Sequence, residues 1–217
     1  MMMTFVNMEA PGITILPTHR VVTGLPEPFF STYFITDASA LYDVKELPNP
    51  ANQVSTGTDV VPHAITTDQG ARRKAAAAHI LLSELDATPG TAFIAVTVDR
   101  NYLLTPKPAA VAPLLESLPL KQRTLDVAQL HTVILHRLLG LSEDKIRATG
   151  SIQYLRDAAE AIAMVTEGDA NIAFLTKPVT LEQMKEVSLS GEVMPQKSTD
   201  FYPKLLSGLA MYALDPK

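Results

Sequence analysis

The chain has 217 residues, no cysteine and a formal net charge of -5. The missing thiols exclude disulfides, thiolate zinc sites, iron–sulfur clusters and cysteine nucleophiles together. The acidic balance argues against nucleic acid and anionic membranes as partners, since both are held through basic faces. Hydrophobic residues at 47% and charged residues at 19% are ordinary globular usage, so a core can form without a metal or disulfide staple. No apolar run approaches the ~20 residues of a membrane span, and residues 1–12 lack the basic region and apolar core of a signal peptide. A reducing compartment, by default the cytoplasm, is the expected location.

In chain order, residues 1–8 read as a buried strand with no polar lead-in, which suggests a fragment or a start assigned late. Residues 13–16 read as a second strand after the turn at Pro11-Gly12. The stretch 23–67 is punctuated by five prolines and carries one expected strand at 41–47, with a loop at 49–58. Asp68 is an expected N-cap for a helix to residue 85, with Ala75, Ala78, Leu82 and Leu85 on its apolar stripe. Pro89-Gly90 closes that helix. A hairpin is expected from 91–98 and 102–105 around Asp99-Arg100-Asn101, followed by a short helix at 109–118. The helix at 126–139 has Val127, Leu130, Ile134, Leu138 and Leu141 on one stripe, with Gly140 as its stop.

The remainder alternates. A strand at 151–155 leads to a helix opened by Asp157 and Glu160, and a strand at 171–175 leads to one opened by Thr180 and Gln183. A last strand is expected at 208–214. This C-terminal β-α-β-α-β series predicts an α/β fold, a mixed layered sheet with helices packed on it. The chain reads as one α/β region over 1–217, with a possible subdivision into 1–119 and 120–217.

Chemistry concentrates in Met194-Pro195-Gln196-Lys197-Ser198-Thr199 and the following Tyr202-Pro203-Lys204. Gly191, Lys197 and Ser198 fall at the spacing of a phosphate-binding P-loop. Gln196 replaces its second glycine, however, Pro195 removes a backbone donor, and the segment follows a helix where a P-loop follows a strand. The P-loop reading is rejected. What remains is two cations and three hydroxyls within eight positions, a loop able to hold a phosphate or carboxylate by charge-assisted hydrogen bonds, or else merely a solvated surface loop. Pro17-Thr18-His19-Arg20 is a second candidate, with His19 a weak acid–base candidate and Arg20 able to grip an anion, or both bracing a turn. His79 and His131 border apolar stripes and read as packed edge residues. His131 and His136 are splayed around their helix, so no shared metal is expected, and no metalloprotease, serine-hydrolase or dinucleotide motif is present.

Several blocks together carry a resemblance: Asn7-Met8-Glu9-Ala10-Pro11-Gly12, Leu16-Pro17-Thr18-His19-Arg20, the run 193–199, and Phe201-Tyr202-Pro203-Lys204-Leu205-Leu206-Ser207-Gly208-Leu209. They resemble, in order, the protein family catalogued as domain of unknown function 1015. The resemblance implies that this chain corresponds to the C-terminal half of a longer protein. The other half would carry an Asp-Gly-His-His-Arg motif similar to that of ParB-like proteins, a group that includes nucleotide-dependent free-serine kinases. Two positions depart from the family pattern: Ala10 where an acid is usual, and Asp200 where an uncharged residue is usual. Asp200 would weaken an anion loop unless it points away or pairs with Lys197 or Lys204.

The leading expectation is half a site for a phosphorylated or carboxylated small molecule, with Lys197, Ser198, Thr199, Tyr202 and Lys204 binding and Arg20 and His19 approaching from the strand end. By family analogy the chemistry would be phosphoryl transfer, and the partner a missing N-terminal half or another subunit. A non-catalytic ligand-binding or regulatory module, a structural role for these blocks, and an inactive truncated fragment are the alternatives.

Overall fold

The computed structural model describes residues 12–26, 28–48 and 67–204. The strands expected at 1–8 and 208–214, the loop at 49–58 and the blocks 7–11 and 205–209 lie outside these residues. Among the described residues the strands are β1 (Thr14–Leu16), β2 (His19–Val22), β3 (Tyr42–Leu47), β4 (Phe93–Val96), β5 (Asn101–Pro106), β6 (Ile152–Leu155), β7 (Ile172–Thr176) and β8 (Asp200–Tyr202). Six form one sheet in the order β3-β5-β4-β7-β2-β6, every neighbouring pair antiparallel. The pair β1-β8 forms a separate antiparallel ribbon. The six-stranded sheet takes strands from both sides of residue 119.

Helices cover both faces of the main sheet. Side chains alternate along a strand, so Phe93 and Ala95, Ile172 and Phe174, and Val22 share one face. That face is covered by α1 (Ser31–Ser39), α3 (Pro108–Val111) and the helix beginning as α4 (Asp126–Gln129). Ile94 and Val96, Ala173 and Leu175, and Val21 face the other way, against α2 (Thr67–Ala87) and α6 (Ala158–Thr166). Double coverage explains why β4 and β7 read as unbroken apolar runs, whereas the edge strand β3 exposes Asp43 and Glu46. The chain is therefore the layered α/β fold expected.

Of the C-terminal series β6-α6-β7-α7 is present, with α7 spanning Leu181–Leu189; its last strand, expected at 208–214, lies outside the described residues, and β8 belongs to the separate ribbon. Thr180 and Gln183 make both bonds of a capping box, whereas Asp157 caps α6 through the Ala159 N–H at 2.8 Å. The hairpin at 93–106 is as expected. On α2 the buried stripe is Ala78, Leu81 and Leu85, while Ala75 is exposed. Ala77 is buried as well and Leu82 only partly, so the stripe is shifted by one residue at those positions. Two helices escaped the sequence reading: α1, masked by flanking prolines, and the short α5 (Glu143–Thr149), capped by the Ser142 hydroxyl.

The expected helix at 126–139 is α-helical for one turn and then π-helical from Leu130 to Leu138. The Leu139 N–H reaches the Ile134 carbonyl at 3.0 Å, five residues back. Val133, Ile134 and Leu135 are all buried there.

One rung of the sheet runs Tyr102, Ala95, Phe174, Arg20, Tyr154 in register across five strands. Phe174 is fully buried and meets Phe34 edge-on at 5.8 Å between ring centroids. Replacing it by alanine removes a central ring and leaves a cavity. Phe174→Ala is expected to cost about 3–5 kcal/mol of unfolding free energy in urea denaturation; a loss below about 1 kcal/mol would show that the core does not close on this rung.

Candidate functional site: a buried arginine beneath the Lys197 loop

His19 and Arg20 are consecutive in β2, so they project to opposite faces of the sheet. This corrects the expectation that both approach one ligand from a strand end. They lie inside the strand, paired with Leu155 and Tyr154 of β6. His19 is fully buried, and its Nδ1 accepts the Thr176 N–H at 3.2 Å. Burial, then the charge of Arg20, hold its pKa down at about 4 against the weaker pull of Asp157. It is neutral at pH 7 and has no path to a solute.

Arg20 lies among the aromatic rings and is 2% exposed. One guanidinium NH2 donates to the Thr18 carbonyl and the other to the Lys197 carbonyl at 3.2 Å. The Tyr154 ring lies 5.4 Å from the guanidinium carbon, within cation–π range. Nε–H is buried without a partner, and no carboxylate pairs with Arg20 among the described residues. Burial lowers its pKa to about 10, partly offset by Tyr154, so it keeps its charge at neutral pH. Buried charges are ordinarily paired because desolvation is expensive. This one rests on two carbonyls and a ring.

The signature loop is held at both ends over that guanidinium. At its start, the Glu192 carboxylate accepts the Lys121 and Gln122 N–H groups at 3.1 Å, and Gln122 Nε2 donates to the Val193 carbonyl at 2.8 Å. Met194 packs on the small core of Leu125, Val127 and Val179. The Ser198 hydroxyl closes the turn on the Pro195 carbonyl at 2.6 Å. Lys197 adopts φ 56°, the left-handed region that a β-carbon disfavours. Its carbonyl meets Arg20 while its side chain is exposed.

Two hollows meet at Lys197. A cleft of about 260 Å³ is bordered by His131, Glu143, Arg147, Tyr154, Gln196 and Lys197. A much smaller one of about 10 Å³ is bordered by Arg20, Thr18, Lys197 and Ser198, room for about one water-sized atom. A further hollow beside the start of α1 has Asp99 as the one charged group in its lining, which makes it a poor match for an anion.

The expected loop residues separate here. Lys197 and Ser198 border the hollows, although the Ser198 hydroxyl proton is already committed. Thr199, Tyr202 and Lys204 border neither of the two hollows at Lys197. Tyr202 is exposed on β8, and the Tyr202–Pro203 peptide bond is cis. Asp200 points away from Lys197 and takes Lys204 Nζ at 2.6 Å and Arg156 Nη2 at 2.9 Å. Burial works against its charge, but the hydrogen bonds from Lys204 and Arg156 win and hold the carboxyl below its ordinary range. Lys204 is thus engaged with Asp200. On α2, Lys74 is paired with Glu167.

The sequence reading missed His131, Glu143, Arg147 and Tyr154. His131 carried the one available signal, a titratable group beside an apolar stripe. Its Nε2 is buried without a partner, and burial, then Arg20, hold its pKa at about 4. Among the described residues no cluster of three or more metal-ligating side chains occurs, and no helix is long and apolar enough to cross a membrane.

Both depressed histidines bind fewer protons folded than unfolded, where the value is 6.5. Their contribution is therefore complete above pH 6.5 and lost as pH falls toward 4. Unfolding free energy is expected to drop from pH 6.5 downward by up to about 1.4 kcal/mol per pH unit for each ring. Equal stability at pH 7 and pH 5 would contradict this burial.

No protein-family model matches the sequence, and no curated protein matches it. Among solved structures the chain is similar to a conserved hypothetical protein from Pyrococcus furiosus, at 13% identity and a TM-score of 0.43 over 90% of this chain and 59% of that one. It is similar to free serine kinase in complex with AMP, at 13% identity and a TM-score of 0.41 over 90% of this chain and 56% of that one. A variant of free serine kinase in complex with ADP gives 14%, a TM-score of 0.42, and coverage of 90% and 56%. The chain spans a little over half the length of these structures.

Proposed function

We propose that the cleft at Lys197 binds the phosphate or carboxylate of a small molecule, with Arg20 as its fixed cation and Lys197 as its exposed one. The observation that supports this is the guanidinium of Arg20, 2% exposed, with neither a partner for its Nε–H nor a carboxylate pair among the described residues. A cation fixed in low dielectric attracts an anion far more strongly than one in water, and its donors need no reorganisation. The small hollow beside Arg20 suits one oxygen of such a group, with the body of the ligand lying in the larger cleft.

The family resemblance extends this reading. As a member of the domain of unknown function 1015 family, the chain would hold the anionic group in a nucleotide-dependent phosphoryl transfer. The remaining machinery would then lie in a part not included in this sequence. His19 takes no part in that chemistry, since it is neutral, buried and on the opposite face of the sheet. For Lys204 the ion pair with Asp200 favours bracing of β8 instead of ligand contact.

The test is a thermal-shift and calorimetric titration with phosphate, O-phosphoserine and AMP. At least one is expected to raise the melting temperature of the wild-type chain. Arg20→Met is expected to weaken binding about 10–100-fold, the value of one hydrogen bond to a charged group. Its stability is read in the same melts, because Arg20→Met also removes the hydrogen bond to the Lys197 carbonyl, and the binding comparison is made at a temperature where both proteins are folded. Lys197→Ala should weaken binding, and Lys204→Ala should not. Undiminished binding by Arg20→Met would remove the arginine from the site.

A further inference from the structure

The proposed site leaves one buried polar group beside the cleft unused. His131 is the second residue of the π-helical turn Leu130–Leu138, borders the cleft, and keeps a buried Nε2 with no partner. The charged and titratable groups that border the cleft or act on the ring come from four other elements: Tyr154 from β6, Glu143 and Arg147 from α5, Lys197 from the loop, and Arg20 from β2. Of these, Arg20 is the buried charge whose field acts on the imidazole. His136 and Arg137 on the same helix are exposed and lie outside the cleft lining.

We propose that His131 is a ligand-contacting residue of this site and that anion binding beside Arg20 is accompanied by proton uptake on its imidazole. This rests on the reading of the cleft as an anion site. In the free protein burial penalises a proton on the ring, and the repulsion of the guanidinium adds to that penalty. An anion beside Arg20 cancels that repulsion and offers an acceptor, so the protonated ring becomes a charge-assisted donor. Bound-state protonation is then more favourable than free-state protonation, and affinity rises as pH falls through the bound-state value. The site would thus prefer anions with enough charge to recruit the proton, a dianionic phosphate over a single carboxylate.

Sulfate is the suitable probe, because its charge is fixed between pH 5 and 8. Isothermal titration of the full chain in two buffers of different ionisation enthalpy counts protons taken up per sulfate bound. The wild type is expected to take up a fraction of a proton, with affinity rising up to tenfold per pH unit as pH falls. His131→Gln should bind sulfate without uptake and with a flatter pH profile. Equal uptake by the wild type and His131→Gln would overturn the role of His131 alone. No sulfate binding at any pH would overturn the anion site beneath it. Should His131→Gln not fold, an NMR titration of the wild-type imidazoles serves instead. One ring with a midpoint near 4 is expected to move upward on sulfate addition, and unchanged midpoints despite bound sulfate would refute the proposal.

Discussion

The buried guanidinium of Arg20 ties the six-stranded sheet to the Lys197 loop. It occupies one position in a rung of aromatic and small apolar residues between Phe174 and Tyr154, where an ion loses several kcal/mol of hydration. Two carbonyls and a ring face offset part of that cost. Because the guanidinium is planar and its donors are fixed in direction, it dictates where those carbonyls lie. The Lys197 carbonyl is one of them, so a loop far away in sequence is pinned over the sheet by a residue of β2. Glu192 and Met194 pin the same loop from its other end. The cleft exists because these anchors hold the loop off the π-helix and α5.

The two-sided sheet makes such an arrangement possible. With helices on both faces, adjacent residues of β2 enter two separate cores, so His19 and Arg20 share neither environment nor solute. Asp200 is taken up in ion pairs with Lys204 and Arg156. That pairing engages Asp200 with cations other than Lys197. It also joins β8 to the turn after β6, which keeps the end of the loop in register with β1.

Much of the scaffold was legible in the residues. Unbroken apolar runs at β4 and β7, capping at Asp157 and Thr180, and the hairpin around Asp99 each follow from local chemistry that tertiary packing did not override. The layered architecture followed from the alternation of those elements. What could not be read has specific causes. β2 is only four residues long and begins with two polar side chains, His19 and Arg20, so its pattern resembles a loop. Proline-rich flanks masked α1. The π-helical turn that places His131 arises from packing of Val133, Ile134 and Leu135, not from a periodicity that a 3.6-residue template detects.

The site was legible as a segment and not as a constellation. Lys197 and Arg20 were both singled out by residue type, yet their meeting depends on a hydrogen bond spanning most of the chain. Tyr154, Arg147 and Glu143 come from elements with no motif of their own. Lys204 and Tyr202 looked equivalent to Lys197 in sequence because spacing cannot show that Asp200 claims one of them. The central claim, that the unpaired guanidinium awaits an anion, is tested most directly at its own unpartnered atom. In a 15N NMR titration of the arginine side chains, the account predicts that Arg20 Nε–H moves downfield and exchanges more slowly as phosphate is added. An Arg20 Nε–H resonance unchanged at saturating phosphate would contradict it.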